Sequence, residues 1–133
     1  MHKPSGRGIA IGLRVVVLAA AAALVPAAAS AMDPGFSWGP TKKCFDPKSP
    51  PVTLGGVPAG TVKLRFKMID LNAPTYPHGG QTVPYKGEKS LPYGAFRYKG
   101  PCPPSPHTYE ISVDALDAGG KVLAKAKARK RFP

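Results

Sequence analysis

The chain has 133 residues and a formal net charge of +12, with 19 Lys and Arg residues against 7 Asp and Glu residues. Its 17 Pro and 15 Gly residues argue against long helices, because both residue types destabilise helix interiors. This size and composition exclude a multidomain enzyme, a polytopic membrane protein and a helical bundle, and they indicate a single small domain with a modest core.

The first 31 residues have the features of an export signal. A positively charged leader precedes the apolar run Val15–Ala29, and Ala29-Ser30-Ala31 provides the small side chains that signal peptidases accept. A retained membrane anchor is the alternative, but the apolar run is shorter than the roughly 20 residues that span a bilayer. We therefore expect cleavage of residues 1–31 after Ala31, and one domain over residues 32–133 in the periplasm or outside the cell.

Alternating hydrophobicity predicts short strands along the proposed domain. Phe36 and Trp38 lie on either side of Ser37 and favour a short edge strand. Val62–Met68 is the clearest element, since its apolar side chains share one face and its basic side chains share the other. Shorter candidate strands are Pro51–Leu54, Thr82–Tyr85 and Ala95–Tyr98.

Two further alternating segments predict a β-hairpin near the C-terminus. Thr108–Leu116 and Lys121–Phe132 both alternate with period two, and the Gly-rich segment Asp117–Gly120 joins them. The sequence thus contains five to seven short strand candidates separated by loops. This pattern is typical of an all-β, mainly antiparallel sandwich.

The last predicted strand is rich in basic residues, and this charge has two interpretations. A cationic face can lie on an anionic membrane surface, where each basic residue contributes about 1 kcal/mol. Alternatively, the lysines belong to a solvated edge strand and prevent edge-to-edge aggregation. We expect no nucleic-acid partner, because nucleic acid is a poor partner for an exported protein. The basic residues are Lys121, Lys125, Lys127, Arg129, Lys130 and Arg131.

The two cysteines, Cys44 and Cys102, both lie in the proposed domain. An even pair of cysteines in an oxidising compartment predicts a disulfide. By closing the loop between Cys44 and Cys102, this bond would stabilise the folded state by about 4 kcal/mol. Two free thiols are the alternative. A zinc site is disfavoured, because the cysteines and His78 and His107 have spacings unlike any zinc motif, and we expect no metal.

Three segments in a fixed order carry a resemblance to a known family. Ser49–Leu54 is followed by Val57–Thr61 with a P-x-G-T element, and Asp70–Pro74 reads D-L-N-A-P. Tyr98–Pro104 reads Y-K-G-P-C-P-P and is followed by H-T-Y and A-L-D elements. Together they resemble the D-P-D-A-P and Y-x-G-P-C-P-P…H-R-Y…A-L-D motifs of the phosphatidylethanolamine-binding protein family, which includes the bacterial Raf-kinase-inhibitor-like proteins.

The sequence also departs from the family pattern. Asn72 replaces the second acid of D-P-D-A-P, and Thr108 replaces the Arg of H-R-Y. The segment that normally carries a His-Trp pair is shortened to Tyr76–Gly80 and the residues after it. The usual C-terminal helix is replaced by the basic strand. The resemblance therefore implies a small secreted β-sandwich of this family, with Pro- and Gly-rich loops and without the C-terminal helix.

The resemblance implies a small surface cavity that holds an anion, such as phosphate or a phospholipid head group. Asp70, His107 and Tyr109 match the pocket positions of the family. His78 is a candidate for the missing pocket histidine. Imidazole and tyrosine hydroxyl groups can donate to a phosphoryl oxygen, whereas an ionised Asp70 can only orient a histidine. The stiff prolines beside Cys102 would hold the cavity wall. The candidate ligand-binding residues are Asp70, His78, Pro101, Pro103, His107 and Tyr109.

Each polar candidate also has a purely structural interpretation. Asp70 follows a predicted strand and can cap the turn after it. His78 lies in a Pro- and Gly-rich loop, which is typical of an exposed turn residue. His107 precedes a strand and can bond a loop carbonyl, and Tyr109 points to the apolar face by its parity.

Catalysis has little support in the sequence. It contains no nucleophile elbow with a Ser-His-Asp order, no H-E-x-x-H element and no phosphate-binding loop, and we expect no cofactor. We therefore expect an exported, non-enzymatic binding protein with a small anion pocket. The alternative is an envelope structural or interaction protein, or an inhibitor of a hydrolase or kinase, that uses its basic face and has a vestigial pocket.

Overall fold

The computed structural model describes residues 2, 4, 6, 8–22, 31–41 and 44–133. Residues 8–22 are exposed and form neither helix nor strand. Most of the expected cleavage site, Ala29-Ser30-Ala31, lies outside the described residues, so the expected signal peptide stays a prediction. Across the described ranges, no helix is long and apolar enough to cross a membrane.

The described residues form seven strands arranged in two antiparallel sheets. The strand order is β1-β2-β5 in the first sheet and β4-β3-β6-β7 in the second sheet. This architecture confirms the all-β antiparallel prediction. The strands are β1 (Asp33–Phe36), β2 (Val52–Gly55), β3 (Lys63–Asp70), β4 (Gly80–Pro84), β5 (Ser90–Leu91), β6 (His107–Leu116) and β7 (Val122–Phe132).

The core lies between the two sheets and follows the period-two pattern of the sequence. On β3, Leu64, Phe66 and Met68 are buried while the basic side chains between them are exposed. Phe66 stacks on Phe96, with ring centroids 4.3 Å apart. The second sheet therefore has an inner apolar face and an outer charged face. Its inner face also carries Tyr109, Ile111, Val113 and Ala115, and the opposite side of the core carries Val52, Leu54 and Leu91.

The predicted hairpin is confirmed with small shifts of its bounds. β6 pairs with β7 along its whole length, from His107 opposite Phe132 to Leu116 opposite Val122. The turn is closed by a bond from the Gly120 N–H to the carbonyl of Asp117, and Gly120 has a φ of 84°, which glycine adopts without strain.

One strand prediction needs correction, and one strand was not predicted. β1 ends at Phe36, so Trp38 lies beyond the strand, where its indole N–H donates to the carbonyl of Arg131. β5 has two residues, which is too short for an alternating pattern to reveal.

The prediction of a strand over Ala95–Tyr98 is also wrong. The segment alternates between buried and exposed side chains, but it forms only an isolated bridge outside the named strands. Its neighbouring segment contains Pro47 and Pro50, which have no N–H to continue a ladder. The Phe96 N–H donates instead to the Ser49 hydroxyl, at 3.2 Å.

Candidate functional site

The candidate site lies where β3 ends and β6 begins. Asp70 is the last residue of β3 and pairs in register with Tyr109 on β6. Both side chains belong to the inner face of the second sheet, because they keep the parity of the buried core residues before and after them. His107, the first residue of β6, reaches the same end of the sheet.

The two carboxylate oxygens of Asp70 have different partners. Oδ2 lies 2.6 Å from His107 Nδ1, while Oδ1 accepts the N–H groups of Asn72 at 2.9 Å and Ala73 at 3.2 Å. Burial raises the pKa of Asp70, but the bonds from His107 and from the two N–H groups outweigh it and hold the pKa below its usual range. Asp70 therefore caps the turn, as its structural interpretation predicts, and also holds His107.

His78 is buried and lies at the same site, so its interpretation as an exposed turn residue is wrong. Its Nδ1 lies 2.6 Å from the carbonyl oxygen of Lys99, 21 residues away. Its ring meets the Tyr109 ring edge to face, with centroids 5.4 Å apart. Nothing in the local sequence reveals this burial, because it depends on a distant loop carbonyl.

The hydrogen bonds determine which histidine atoms remain for a ligand. A carbonyl or carboxylate oxygen can only accept, so Nδ1 carries the proton in both His78 and His107. Nε2 is then the remaining polar atom of each ring. It presents a lone pair when the ring is neutral and donates an N–H when the ring is protonated.

Tyr109 lies between the two histidines, and its side chain is buried. Burial raises the pKa of Tyr109, and the charge of Asp70 together with a hydrogen bond to it raises that pKa further. The hydroxyl therefore keeps its proton. Because a hydroxyl rotates about its C–O bond, it can turn this proton from Asp70 to a ligand.

These side chains surround a cavity of about 160 Å³. Five of the six predicted ligand-binding residues line it. Pro101 does not: it is buried behind the wall, and its carbonyl accepts the N–H of Phe45 at 3.3 Å. Phe45 and Tyr76 also line the cavity, although they were not among the predicted ligand-binding residues. The full lining consists of Phe45, Asp70, Ala73, Tyr76, His78, Cys102, Pro103, Pro104, His107 and Tyr109.

The predicted disulfide is present and forms part of the cavity wall. Cys44 and Cys102 are bonded, with their Cα atoms 4.2 Å apart, and Cys102 faces the cavity. Cys44 and Phe45 have φ angles of 47° and 54°, a left-handed backbone that is uncommon for residues other than glycine. The disulfide and the bond to Pro101 hold this turn against the proline-rich wall.

A larger depression of about 540 Å³ lies along the first sheet, but its chemistry is poorer. Its lining consists of apolar, glycine, serine and threonine residues of β1, β2 and β5 and their flanks, and none of these described residues has an ionisable side chain. The smaller cavity contains a carboxylate, two imidazoles and two phenols. Perturbed ionisable groups in a concave site are the stronger indication of function. Within the described ranges, no cluster of three or more His, Cys, Asp or Glu residues could hold a metal ion.

Comparison with solved structures identifies the fold. The chain superposes on a phosphatidylethanolamine-binding protein homologue from Chlamydia trachomatis with a TM-score of 0.54 and 18% identity, covering 77% of this chain and 97% of that one. A second similar structure is YbcL of E. coli, described as a member of the mammalian family, with a TM-score of 0.48, 21% identity, and coverage of 64% and 79%. No protein-family model and no curated protein sequence matches the chain. The chain thus has the fold of the phosphatidylethanolamine-binding proteins, as the sequence resemblance implies.

Proposed function

We propose that the protein is an exported, non-enzymatic binding protein whose cavity takes a phosphoryl anion. The observation that carries this proposal is the cluster of Tyr109, His78 and the Asp70–His107 pair around one small cavity. The anion is free phosphate or the phosphate of a phospholipid head group, since both present the same oxygens to these donors. The disulfide supports export, because such bonds persist in oxidising compartments.

Protonated histidines favour the binding of an anion in this cavity. Two neutral rings would present Nε2 lone pairs to the anion, which repel it, whereas two imidazolium rings donate to it. The Asp70 carboxylate contacts His107 Nδ1 at 2.6 Å, so a negative charge lies beside the ring that donates to the anion. At a pH above the second pKa of phosphate, binding of the dianion is therefore coupled to proton uptake by the histidines, and the affinity falls as the pH rises further.

The cavity chemistry favours binding over catalysis. Within the described part of the chain, its lining has no serine or threonine hydroxyl, and the sulfur of Cys102 is held in the disulfide. A binding role needs donors and a defined shape, and the lining supplies both.

Isothermal calorimetry with the oxidised protein tests this proposal. One arm uses inorganic phosphate and the other uses short-chain phosphatidylethanolamine below its micellar concentration. Tyr109→Phe should weaken binding about fivefold, the value of one lost hydrogen bond. Tyr98→Phe is the matched control, since Tyr98 is a buried tyrosine outside the cavity, and its hydroxyl has no hydrogen-bond partner within the described residues.

The two arms distinguish the source of the anion. Saturable binding of both ligands supports a site for the phosphate group alone, and binding of the lipid only supports a head-group site. Heat of binding in neither arm, or equal effects of the two tyrosine variants, would overturn the anion-pocket proposal.

A second candidate function rests on the charge of the outer face of the second sheet. We define the basic face as the seven outward basic residues of β3 and β7, which lie on both sides of two carboxylates on β6. This excess of positive charge favours an interaction protein that lies on an anionic lipid surface. The basic residues are Lys63, Arg65, Lys67, Lys125, Lys127, Arg129 and Arg131, and the carboxylates are Glu110 and Asp114.

Co-sedimentation with vesicles tests this second candidate. Lys63 and Lys67 make no ion pair within the described residues, so Lys63→Glu and Lys67→Glu change the charge of the face without breaking an ion pair. Each reversal should reduce binding to vesicles that contain phosphatidylglycerol and leave the phosphate affinity of the cavity unchanged. Equal association of the wild type with neutral and anionic vesicles would contradict this role.

A further inference from the structure

Among the residues that the structure describes, the cavity lining has no permanent positive charge. This lining contains the Asp70 carboxylate and two histidines, which are cationic only when protonated, and no described Lys or Arg belongs to it. A phosphoryl dianion carries two negative charges in a site where one is already present. Even with both histidines protonated, one negative charge stays unbalanced when a dianion is bound, and a cation just outside the cavity can balance it.

Lys99 places such a cation at the cavity mouth. Its Nζ lies 4.5 Å from the ring centroid of Phe45 and 4.8 Å from that of Tyr76. The two rings are stacked at 6.3 Å, both line the cavity, and both are partly exposed. The ammonium group thus rests on the two rings that border the opening.

The backbone of Lys99 is fixed to the floor of the cavity although its side chain is exposed. Its N–H donates to the carbonyl of His78 at 2.8 Å, and its carbonyl accepts from His78 Nδ1 at 2.6 Å. Only the side chain is therefore free to move. A cation–ring contact at an exposed site is weak, and a phosphoryl oxygen is a stronger partner for an ammonium group.

We propose that Lys99 is a ligand-binding residue whose ammonium group moves from the Phe45 and Tyr76 rings onto a phosphoryl anion bound in the cavity. This inference rests on the proposed function and specifies its ligand class. The ammonium group of Lys99 balances the second negative charge of a terminal phosphoryl dianion. A phosphodiester is a monoanion without this second charge, so it gains less from Lys99. The site is therefore selective for free phosphate and phosphomonoesters over phosphodiesters.

Lys48 provides a matched control within the same chain. Its Nζ lies 5.7 Å above the Tyr93 ring, so it makes the same kind of contact, but neither residue lines the cavity. Lys99→Met and Lys48→Met remove the same charge and the same type of ring contact. Their comparison separates a local role of Lys99 from a general loss of positive charge.

Calorimetric titration with inorganic phosphate and with dimethyl phosphate tests the proposal. Lys99→Met should weaken phosphate binding about three- to tenfold, as expected for a partly exposed charged hydrogen bond. It should weaken dimethyl phosphate binding less, and it should flatten the loss of phosphate affinity with added sodium chloride. Lys48→Met should leave both affinities at the wild-type value, and Lys99→Arg should retain most of the phosphate affinity.

The outcomes separate the two proposals. If the wild type binds no phosphate and no lipid, the anion-pocket proposal fails and this inference fails with it. If the wild type binds phosphate but Lys99→Met matches Lys48→Met, the inference alone is overturned. An equal loss of affinity for phosphate and dimethyl phosphate would also overturn it. Disturbance of the aromatic rim, which consists of Phe45 and Tyr76, would weaken the binding of both ligands alike. If Lys99→Met does not fold, Lys99→Gln with the same two ligands decides the question.

Discussion

Asp70 shows how one side chain can serve both the fold and the site. Its Oδ1 caps the turn after β3 while its Oδ2 holds His107, so the turn and the cavity share one carboxylate. The structural and functional interpretations of this residue are therefore compatible. Its ionised form stabilises the folded state because that form accepts hydrogen bonds from His107 and from two backbone N–H groups.

The lowered pKa of Asp70 predicts a pH dependence of stability. A carboxyl whose pKa is lower in the folded state contributes its stability above its unfolded pKa of about 3.9, and this contribution is lost as the pH falls through the folded pKa. Asp70→Asn should lower the free energy of unfolding by roughly 1–3 kcal/mol near neutral pH and by much less in acid. Urea unfolding at a series of pH values measures this.

The matched control for Asp70→Asn is Asp114→Asn. The Asp114 carboxylate lies on the outer face, with its Oδ2 2.7 Å from a guanidinium nitrogen of Arg65. Because the Arg65 side chain is about half exposed, that ion pair is screened and its loss should cost less than about 1 kcal/mol. The account of Asp70 is wrong if the two variants lose the same stability, or if Asp70→Asn retains the acid dependence of the wild type.

At the scale of the elements, the sequence predicts the long strands well and the short ones poorly. The alternation in Val62–Met68 and Thr108–Leu116 is strong because one face of each strand is buried and the other is wet. The same alternation in Ala95–Tyr98 results from packing against a proline-containing segment that pairs with it only through an isolated bridge. Periodicity therefore reports burial, and it does not by itself report a continuous ladder of strand pairing.

The site was predictable to the extent that local motifs carried it. Asp70, His107 and Tyr109 come from motif positions on β3 and β6, and these two strands are paired. The aromatic rim was not predictable, because the disulfide and a loop bring Phe45 to Tyr76 from distant parts of the chain. Such contacts between loops have no period and no fixed spacing in a single sequence.

Glu110 on β6 helps to hold the edge strand β7 on the second sheet. The carboxylate is buried, and it contacts Arg129 at 2.7 Å and Lys127 at 3.4 Å, both on β7. Burial raises the pKa of Glu110, but the two basic partners outweigh it and lower the pKa overall. This contribution to stability is likewise present at neutral pH and lost in acid.

Glu110→Gln should lower the free energy of unfolding by about 1–2 kcal/mol near neutral pH, because the buried group loses its charge-assisted bonds. The value is modest because Lys127 and Arg129 are largely exposed and screened by water. Chemical unfolding measures it, and hydrogen exchange of the β7 amides should increase in parallel. Unchanged exchange in β7 would contradict this role for Glu110.

At the scale of the whole molecule, the disulfide links the stability of the fold to the shape of the cavity. It closes a loop across a sequence separation of 58 residues in a small domain, and one of its sulfurs belongs to a cavity-lining residue. The chain-entropy model assigns such a loop about 4 kcal/mol, a large part of the stability of a domain of this size.

Reduction of the Cys44–Cys102 bond, or the Cys44→Ser and Cys102→Ser double variant, should therefore lower the free energy of unfolding by about 4 kcal/mol. Phosphate affinity should also fall, because Phe45 and the proline wall lose their common anchor. Denaturant unfolding and calorimetry with and without reductant measure both effects. A reduced protein that binds phosphate as tightly as the oxidised one would show that the disulfide does not shape the cavity.

The central claim is that the cavity binds a phosphoryl anion through the protonated rings of His78 and His107. The most direct test is a histidine-resolved NMR titration of the oxidised protein with inorganic phosphate, which follows Nε2 of each ring. The account predicts saturable shifts of both Nε2 resonances toward the imidazolium form at constant pH. Saturation with phosphate while both rings stay neutral, or no saturable shift of either ring with phosphate or with short-chain phosphatidylethanolamine, would contradict it.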